Sequence, residues 1–183
     1  MTADFEIDIL NWSGSQNERK VGIPKSSRPV GTIKAGDVAV HIRRKVFDDL
    51  QEYSEADINN ERGSILIGDY TVKGGVLSVI ISDYIEAKYA VSKSATLTFT
   101  HETWNYVSDI KEKDYADKRI IGWHHTHPGY GVYLSAYDMF IQNNFFNLPF
   151  QVAYVIDPVN RDSGFFQWKN GLVERVNGFY IYE

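Results

Sequence analysis

Three of the five histidines fall within four positions, in Gly122-Trp123-His124-His125-Thr126-His127-Pro128-Gly129, and Ser135-Ala136-Tyr137-Asp138 follows shortly after. Two imidazoles and a carboxylate are the ligand set of a hydrolytic zinc, which takes three protein ligands and keeps its fourth position open. His125 and His127 are two apart at the end of a segment with strand character, so they share a face and can converge on one ion. By the same alternation His124 points the other way, as a packed residue rather than a ligand. Pro128-Gly129 then turns the chain sharply.

Ser135 and Asp138 also have a simpler reading, a helix N-cap with a capping interaction worth ~0.5–2 kcal/mol. Close behind a His-x-His pair, the same spacing serves chemistry. A carboxylate in the first helical turn is held rigidly and faces the preceding loop, so Asp138 can be a third ligand while Ser135 both caps and reaches the site. Hydrolysis further needs a base for the activated water. Of several acids, Glu61 stands out because it immediately precedes Arg62-Gly-Ser-Ile-Leu-Ile-Gly68, a buried-strand pattern that would fix its position. On the residues alone, an exposed glutamate at a helix end is an equally good account of it.

The elements that must position these groups follow from hydrophobic period and turn residues. Asp4 to Leu10 alternates as a short strand, and Pro24 to Pro29 reads as loop or linker. Val38 to Ile42 predicts a strand, followed by a helix with Val46, Leu50, Tyr53 and Ala56 on one face. Ser64 to Ile67 and Gly75 to Ile81 predict strands joined by Asp69 to Gly74, with Tyr84 to Ser94 as a loop or ribbon insertion. Ala95 to Phe99 is a strand and about Glu102 to Tyr115 a helix with Trp104, Val107 and Ile110 inward. Ile120 to His125 is the strand that delivers the histidines. Ser135 opens a helix through Asn147, and Pro149 stops it. Gln151 to Ile156, Phe165 to Trp168 and Val173 to Tyr182 complete the strands, the last two as an antiparallel pair. Mixed strands and helices without a repeat predict an α/β sandwich around one sheet.

The 183 residues suit one domain, and residues 1–36 read as an N-terminal extension to it. A net charge of -5 without a basic cluster argues against nucleic-acid binding. The chain has no cysteine, which excludes a thiol peptidase and a Cys-type structural zinc site. No apolar run approaches the ~20 residues that span a bilayer. The acidic start lacks a secretory signal, so the expected location is cytoplasmic.

With these residues in place, the sequence resembles the JAMM (MPN-plus) metallopeptidase family, including its prokaryotic JAB-type members. The pattern stands here as Glu61, then His125-Thr126-His127-Pro128, six residues, Ser135 and Asp138. Glu61 precedes Gly68 by seven residues, and Gly122-Trp123 and Asp157-Pro158 are also similar to the family. The resemblance covers about residues 37–182. It implies an α/β/α sandwich around a mixed sheet, similar to the cytidine deaminase-like architecture, with residues 37–183 as the catalytic domain. It implies one Zn2+ per chain on His125, His127 and Asp138, Glu61 as general base and acid, and Ser135 as donor to the oxyanion. The implied reaction is isopeptide or peptide cleavage after the C-terminal glycine of ubiquitin or a ubiquitin-like protein. A narrow groove for that tail is expected to involve Tyr84, Ile85, Tyr89, Tyr130 and Tyr133, and the segment around Tyr84 to Ser94 to pair with it by strand addition. The alternatives are a hydrolase of a small amide or sulfur-carrier conjugate, and a catalytically silent MPN scaffold. Little chain follows Asp157-Pro158, so a compact, stand-alone member is expected.

Overall fold

The computed structural model describes residues 21–93 and 95–183; the strand expected at Asp4 to Leu10 lies outside them. The elements run β1 (Ser27–Gly31), β2 (Ala39–Arg43), α1 (Arg44–Glu55), β3 (Gly63–Lys73), β4 (Val76–Glu86), β5 (Val91–Lys93), β6 (Thr96–Thr98), α2 (His101–Asp114), β7 (Arg119–Thr126), α3 (Ala136–Phe145), β8 (Val152–Asp157), β9 (Asp162–Lys169), β10 (Leu172–Arg175) and β11 (Gly178–Tyr182). Nine strands form one mixed sheet in the order β1-β11-β2-β4-β3-β7-β8-β9-β10, while β5 and β6 make a separate hairpin.

Alternation along the strands divides the core between the two faces of the sheet. Leu66, Val79, Ile81 and Tyr154 pack with Val46 and Leu50 of α1. On the opposite face Ile65, Ile67, Trp123 and Val155 pack with Val107 of α2 and with Ile141 and Phe146 of α3 and its end. Each fully buried side chain of this kind stabilises the fold by ~1.5–3 kcal/mol. The layers are therefore helix, sheet, helices, the α/β/α arrangement expected. No helix among the described residues is long and apolar enough to cross a membrane.

Three expectations for the strands are corrected. First, β3 does not stop near Gly68 but continues to Lys73 through a bulge, so only Gly74-Gly75 separates it from β4. A Cβ on Gly68 would meet the Ile80 carbonyl at 1.9 Å, so glycine permits the close strand approach there. Second, Tyr84 to Glu86 finish β4 rather than opening an insertion. Third, the Pro24 to Pro29 segment is not all linker, because Ser27–Gly31 pair antiparallel with Gly178–Tyr182. Pro29 is tolerated because β1 is an edge strand, where a missing N–H faces outward.

The end of the chain also differs from a single hairpin. Residues 172–175 pair with β9, but β11 crosses to the far side of the sheet and pairs parallel with β2. The sheet curls enough for Val30 and Gly31 at one edge to line a cleft of about 500 Å³ with Asp162, Ser163 and Arg175 at the other. No residue of the histidine cluster lines that cleft.

Candidate active site

β7 lies inside the sheet between β3 and β8, which makes its carboxyl end a rigid platform. Gly122 is needed to seat it: a Cβ there would meet the Val152 carbonyl at 2.0 Å. Beyond it, Trp123, His125 and His127 fall on one face. The rings of Trp123 and His125 stack at 4.3 Å, and Trp123 Nε1 donates to Gln142 Oε1 of α3 at 2.7 Å. His124 faces the other way, fully buried between Ser54 Oγ (3.2 Å) and Ser64 Oγ (3.1 Å). Burial holds its imidazole well below the usual pKa, so it is a neutral packed residue.

Asp138 arrives on α3. Ser135 is the N-cap: its Oγ accepts from Asp138 N at 3.2 Å, and Ser135 N donates to Asp138 Oδ2 at 2.7 Å, a reciprocal capping box. The cap consumes an acceptor position of the Ser135 hydroxyl and leaves its hydrogen able to donate elsewhere. The cap and the site thus use the same two residues.

His125 Nε2, His127 Nε2 and the Asp138 carboxylate converge. Nε2 to Nε2 is 3.1 Å, His127 Nε2 to Asp138 Oδ2 is 3.2 Å, and His125 Nε2 to Asp138 Oδ1 is 3.4 Å. All three residues are buried, and one ligand atom from each lies within 4.8 Å of the others, a group that could hold a metal ion. The donor chemistry fits a cation. His127 Nδ1 lies 3.1 Å from the Gly131 carbonyl, which only accepts, so Nδ1 carries the proton and a neutral ring turns the lone pair of Nε2 inward. That lone pair meets a second imidazole nitrogen and a carboxylate, and a positive ion among them relieves the repulsion. Burial would raise the Asp138 pKa, but its contacts with the two imidazoles and with Ser135 outweigh that and hold it far below the usual range, as an anion.

Glu61 sits just before β3, where β5 grips its backbone from both sides of the peptide. Its N–H donates to Lys93 O of β5 at 3.2 Å and its carbonyl accepts from Ser92 Oγ. The next residue, Arg62, donates from its backbone to Thr126 Oγ1 at 2.8 Å, which gives the middle residue of His125-Thr126-His127 a positioning role. Glu61 is 3% exposed, and its Oε1 lies 3.8 Å from His127 Nε2 while Oε2 has no hydrogen-bond partner among the described residues. Burial first, then the Asp138 anion, push its carboxyl up to about 7 against the pull of His127. An adjacent cation would pull that value back down.

Of the residues expected around the tail groove, Tyr130 and Tyr133 lie on the loop between the ligands, half exposed, and Tyr133 packs on the His127 ring at 4.8 Å. Tyr89 is 57% exposed against Tyr106 of α2, next to the exposed Val91 of the hairpin. Tyr84 and Ile85 are corrected. Tyr84 packs on the α1 face of the sheet, away from the histidines, and Ile85 is a buried core residue of β4. Neither side chain lines an open groove beside the cluster.

The sequence reading also missed a supporting residue. Asp157, at the end of β8, is fully buried and accepts from Gly129 N and Gly131 N, the loop directly after His127. Its signal was the Asp157-Pro158 pair, which is part of the family resemblance but by itself indicates a turn and no role for the carboxylate.

Comparison with known proteins gives one consistent result. A family model described as JAB1/Mov34/MPN/PAD-1 ubiquitin protease matches residues 38–148. The 26S proteasome regulatory subunit RPN11 of Eremothecium gossypii is 25% identical over 151 residues, 82% of this chain and 47% of that protein. The ubiquitin carboxyl-terminal hydrolase RPN11 of Saccharomyces cerevisiae is 37% identical over 57 residues, 31% of this chain and 19% of that protein. The COP9 signalosome complex subunit 5 of Caenorhabditis elegans is 38% identical over 61 residues, 32% of this chain and 16% of that protein. The chain thus spans half or less of the length of these relatives. A solution structure of a Desulfitobacterium hafniense protein superposes with a TM-score of 0.58 at 15% identity, over 79% of this chain and 93% of that one.

Proposed function

The chain belongs to the JAB1/Mov34/MPN/PAD-1 family, and from that premise we propose that it is a zinc-dependent peptidase or isopeptidase cleaving after the C-terminal glycine of a ubiquitin-like protein. One observation carries the reading: two imidazole nitrogens and a carboxylate converge in a buried cluster, with the Glu61 carboxylate 3.8 Å from one of them. A silent scaffold has no use for this combination, since each buried polar group costs stability unless something satisfies it.

In this proposal His125, His127 and Asp138 hold the ion, with residues 37–183 as the catalytic unit. Zinc there supplies Lewis acidity, polarising the scissile carbonyl and lowering the pKa of water from ~15.7 towards ~7. Glu61 accepts the proton as the water oxygen bonds to the carbonyl carbon. It delivers that proton to the amine nitrogen as the C–N bond breaks, and the second proton of the water then passes from the new carboxyl to the amine, so the products are a glycine carboxylate and an ammonium group. The Ser135 hydroxyl donates to the oxygen that gains negative charge. Tyr89, Tyr130 and Tyr133 contact the extended tail, and the β5–β6 hairpin offers it backbone pairing.

The test is a panel of ubiquitin-like proteins fused through their C-terminal glycine to a reporter, with zinc content measured and a chelator arm included. Chelator-sensitive cutting at the glycine is expected for at least one member. Zinc-loaded protein that cuts none of them but hydrolyses small amides would move the assignment to the small-molecule reading. Protein that binds no zinc would return it to a scaffold.

A further inference from the structure

His127 is aimed by a second carboxylate that never touches it. We propose that Asp157 is a positioning residue for the metal site, fixing the tautomer and direction of the His127 ring through the Gly129–Gly131 turn. The inference rests on the reading of His127 as a ligand.

Every donor around Asp157 is accounted for. Its Oδ1 accepts from Gly129 N (2.9 Å), Val159 N (3.0 Å) and Asn160 N (3.1 Å), and its Oδ2 from Gly131 N (2.7 Å) and Asn160 Nδ2 (2.6 Å). Two of these donors come from the turn behind His127 and the rest from the turn behind β8, so one carboxylate pins the two turns together. The first of them needs pinning. Gly129 and Gly131 adopt φ of 81° and 88°, and Tyr130 N closes the turn on His127 O at 3.1 Å. Glycines are the most flexible residues of an unfolded or loosened loop, and among the described residues only the Asp157 carboxylate holds their N–H groups.

Holding Gly131 N anchors the residue whose carbonyl faces the His127 ring. The Gly131 carbonyl then stands 3.1 Å from His127 Nδ1 and requires a proton there. A proton on Nδ1 leaves Nε2 of a neutral ring free to bind a cation, and it also fixes the ring plane. Support of a ligating histidine by its other nitrogen tunes metal affinity about 10- to 100-fold. Here that support comes from a backbone carbonyl, which in turn is held by Asp157.

The decisive variant is Asp157→Asn. The amide has nearly the same shape, yet one of its two ends becomes an NH2 group and must face a backbone N–H donor. Either Gly129 or Gly131 is released. Three readouts are compared with wild type: thermal unfolding of the metal-free protein, zinc affinity by chelator competition, and the His127 ring tautomer by long-range proton–nitrogen NMR on the metal-free protein at alkaline pH. The expected result is a folded variant with zinc affinity lower by about 10- to 100-fold, and with His127 moved from a pure Nδ1–H form towards a mixture. A purely structural role would lower the unfolding temperature while leaving tautomer and affinity as in wild type, and that outcome overturns the proposal. If the variant does not fold, the wild-type tautomer decides alone, because an Nε2–H form of His127 is incompatible with the geometry described. Wild-type protein that binds no zinc would refute the proposed function, whereas the tautomer comparison would still judge the link from Asp157 to His127.

Discussion

Glu61 bears the hardest chemical task in the proposed reaction, since it must take a proton and give it back within one turnover. Its burial, its Oε2 without a hydrogen-bond partner among the described residues and its place 3.8 Å from His127 suit that task better than any role in stability. Glu61→Gln keeps the volume and loses the proton acceptor. The expected outcome is a fall in kcat of ~10²–10⁴-fold with zinc content unchanged, read by turnover of a cleaved fusion alongside metal analysis. His127→Ala, by contrast, is expected to lose zinc and turnover together. Full activity in Glu61→Gln would mean that another group moves the proton. How far these roles could be read in advance depended on the residue. Strand alternation alone separates His124 from His125 and His127, because period two leaves no other choice. Glu61 was singled out by the buried strand that follows it, but only the family pattern lifted it above an ordinary exposed glutamate at a helix end. Tyr84 and Ile85 misled because a contiguous run of sequence splits between two faces of a sheet once it is a strand.

At the scale of elements, the N-terminus of α3 is where fold and chemistry share parts. Ser135 caps the helix that carries Asp138, so a plain truncation confounds the two roles. Substitution by Ala removes the cap and is expected to cost ~0.5–2 kcal/mol, whereas Gly at an N-cap costs only a few tenths. Ser135→Gly therefore tests the hydroxyl with the helix start nearly intact. Its unfolding temperature should stay close to that of wild type while kcat falls ~10²–10³-fold, the usual effect of losing one oxyanion donor. Retained kcat would assign Ser135 to capping alone. The helices were readable because their apolar residues recur at helical spacing and both α2 and α3 begin with capping boxes. The strands were less so. β3 runs on past Ile67 through Asp69, Tyr70 and Thr71, whose polarity reads as loop, yet Asp69 is buried beside Lys118 and Arg119. β1 was hidden because its proline and its exposed face carry no alternation, and its partner β11 is some 150 residues away.

Across the whole molecule, the segment before β2 is tied to β9 and to the start of β11 by one half-buried acid. Asp37, just before β2, accepts from Gln167 Nε2 (2.9 Å) and Lys169 Nζ (2.9 Å) of β9, and from Asn177 Nδ2 (3.0 Å) at the start of β11. Burial alone would raise its pKa, but these hydrogen bonds hold the carboxyl well below the ordinary carboxylate range. Asp157 is set likewise: burial opposes ionisation, and its hydrogen bonds bring it down to about 2. A carboxyl whose folded pKa is depressed binds its proton more readily in the unfolded chain, where the value is ~3.9. Its contribution is complete above that value and drains away as pH falls through the folded pKa. The metal-free protein should therefore lose stability steeply as pH falls from ~4 towards ~2, as measured by thermal unfolding across that range. Asp37→Asn keeps the size of the side chain but removes the titration. It should start less stable at neutral pH and show a shallower acid slope, because one of the depressed carboxyls, a set that includes Asp138 and Asp157, no longer gains a proton on unfolding. An unchanged slope in that variant would place the acid sensitivity elsewhere, and the hold between these segments would then rest on β1, β11 and the apolar core rather than on this ionised tie.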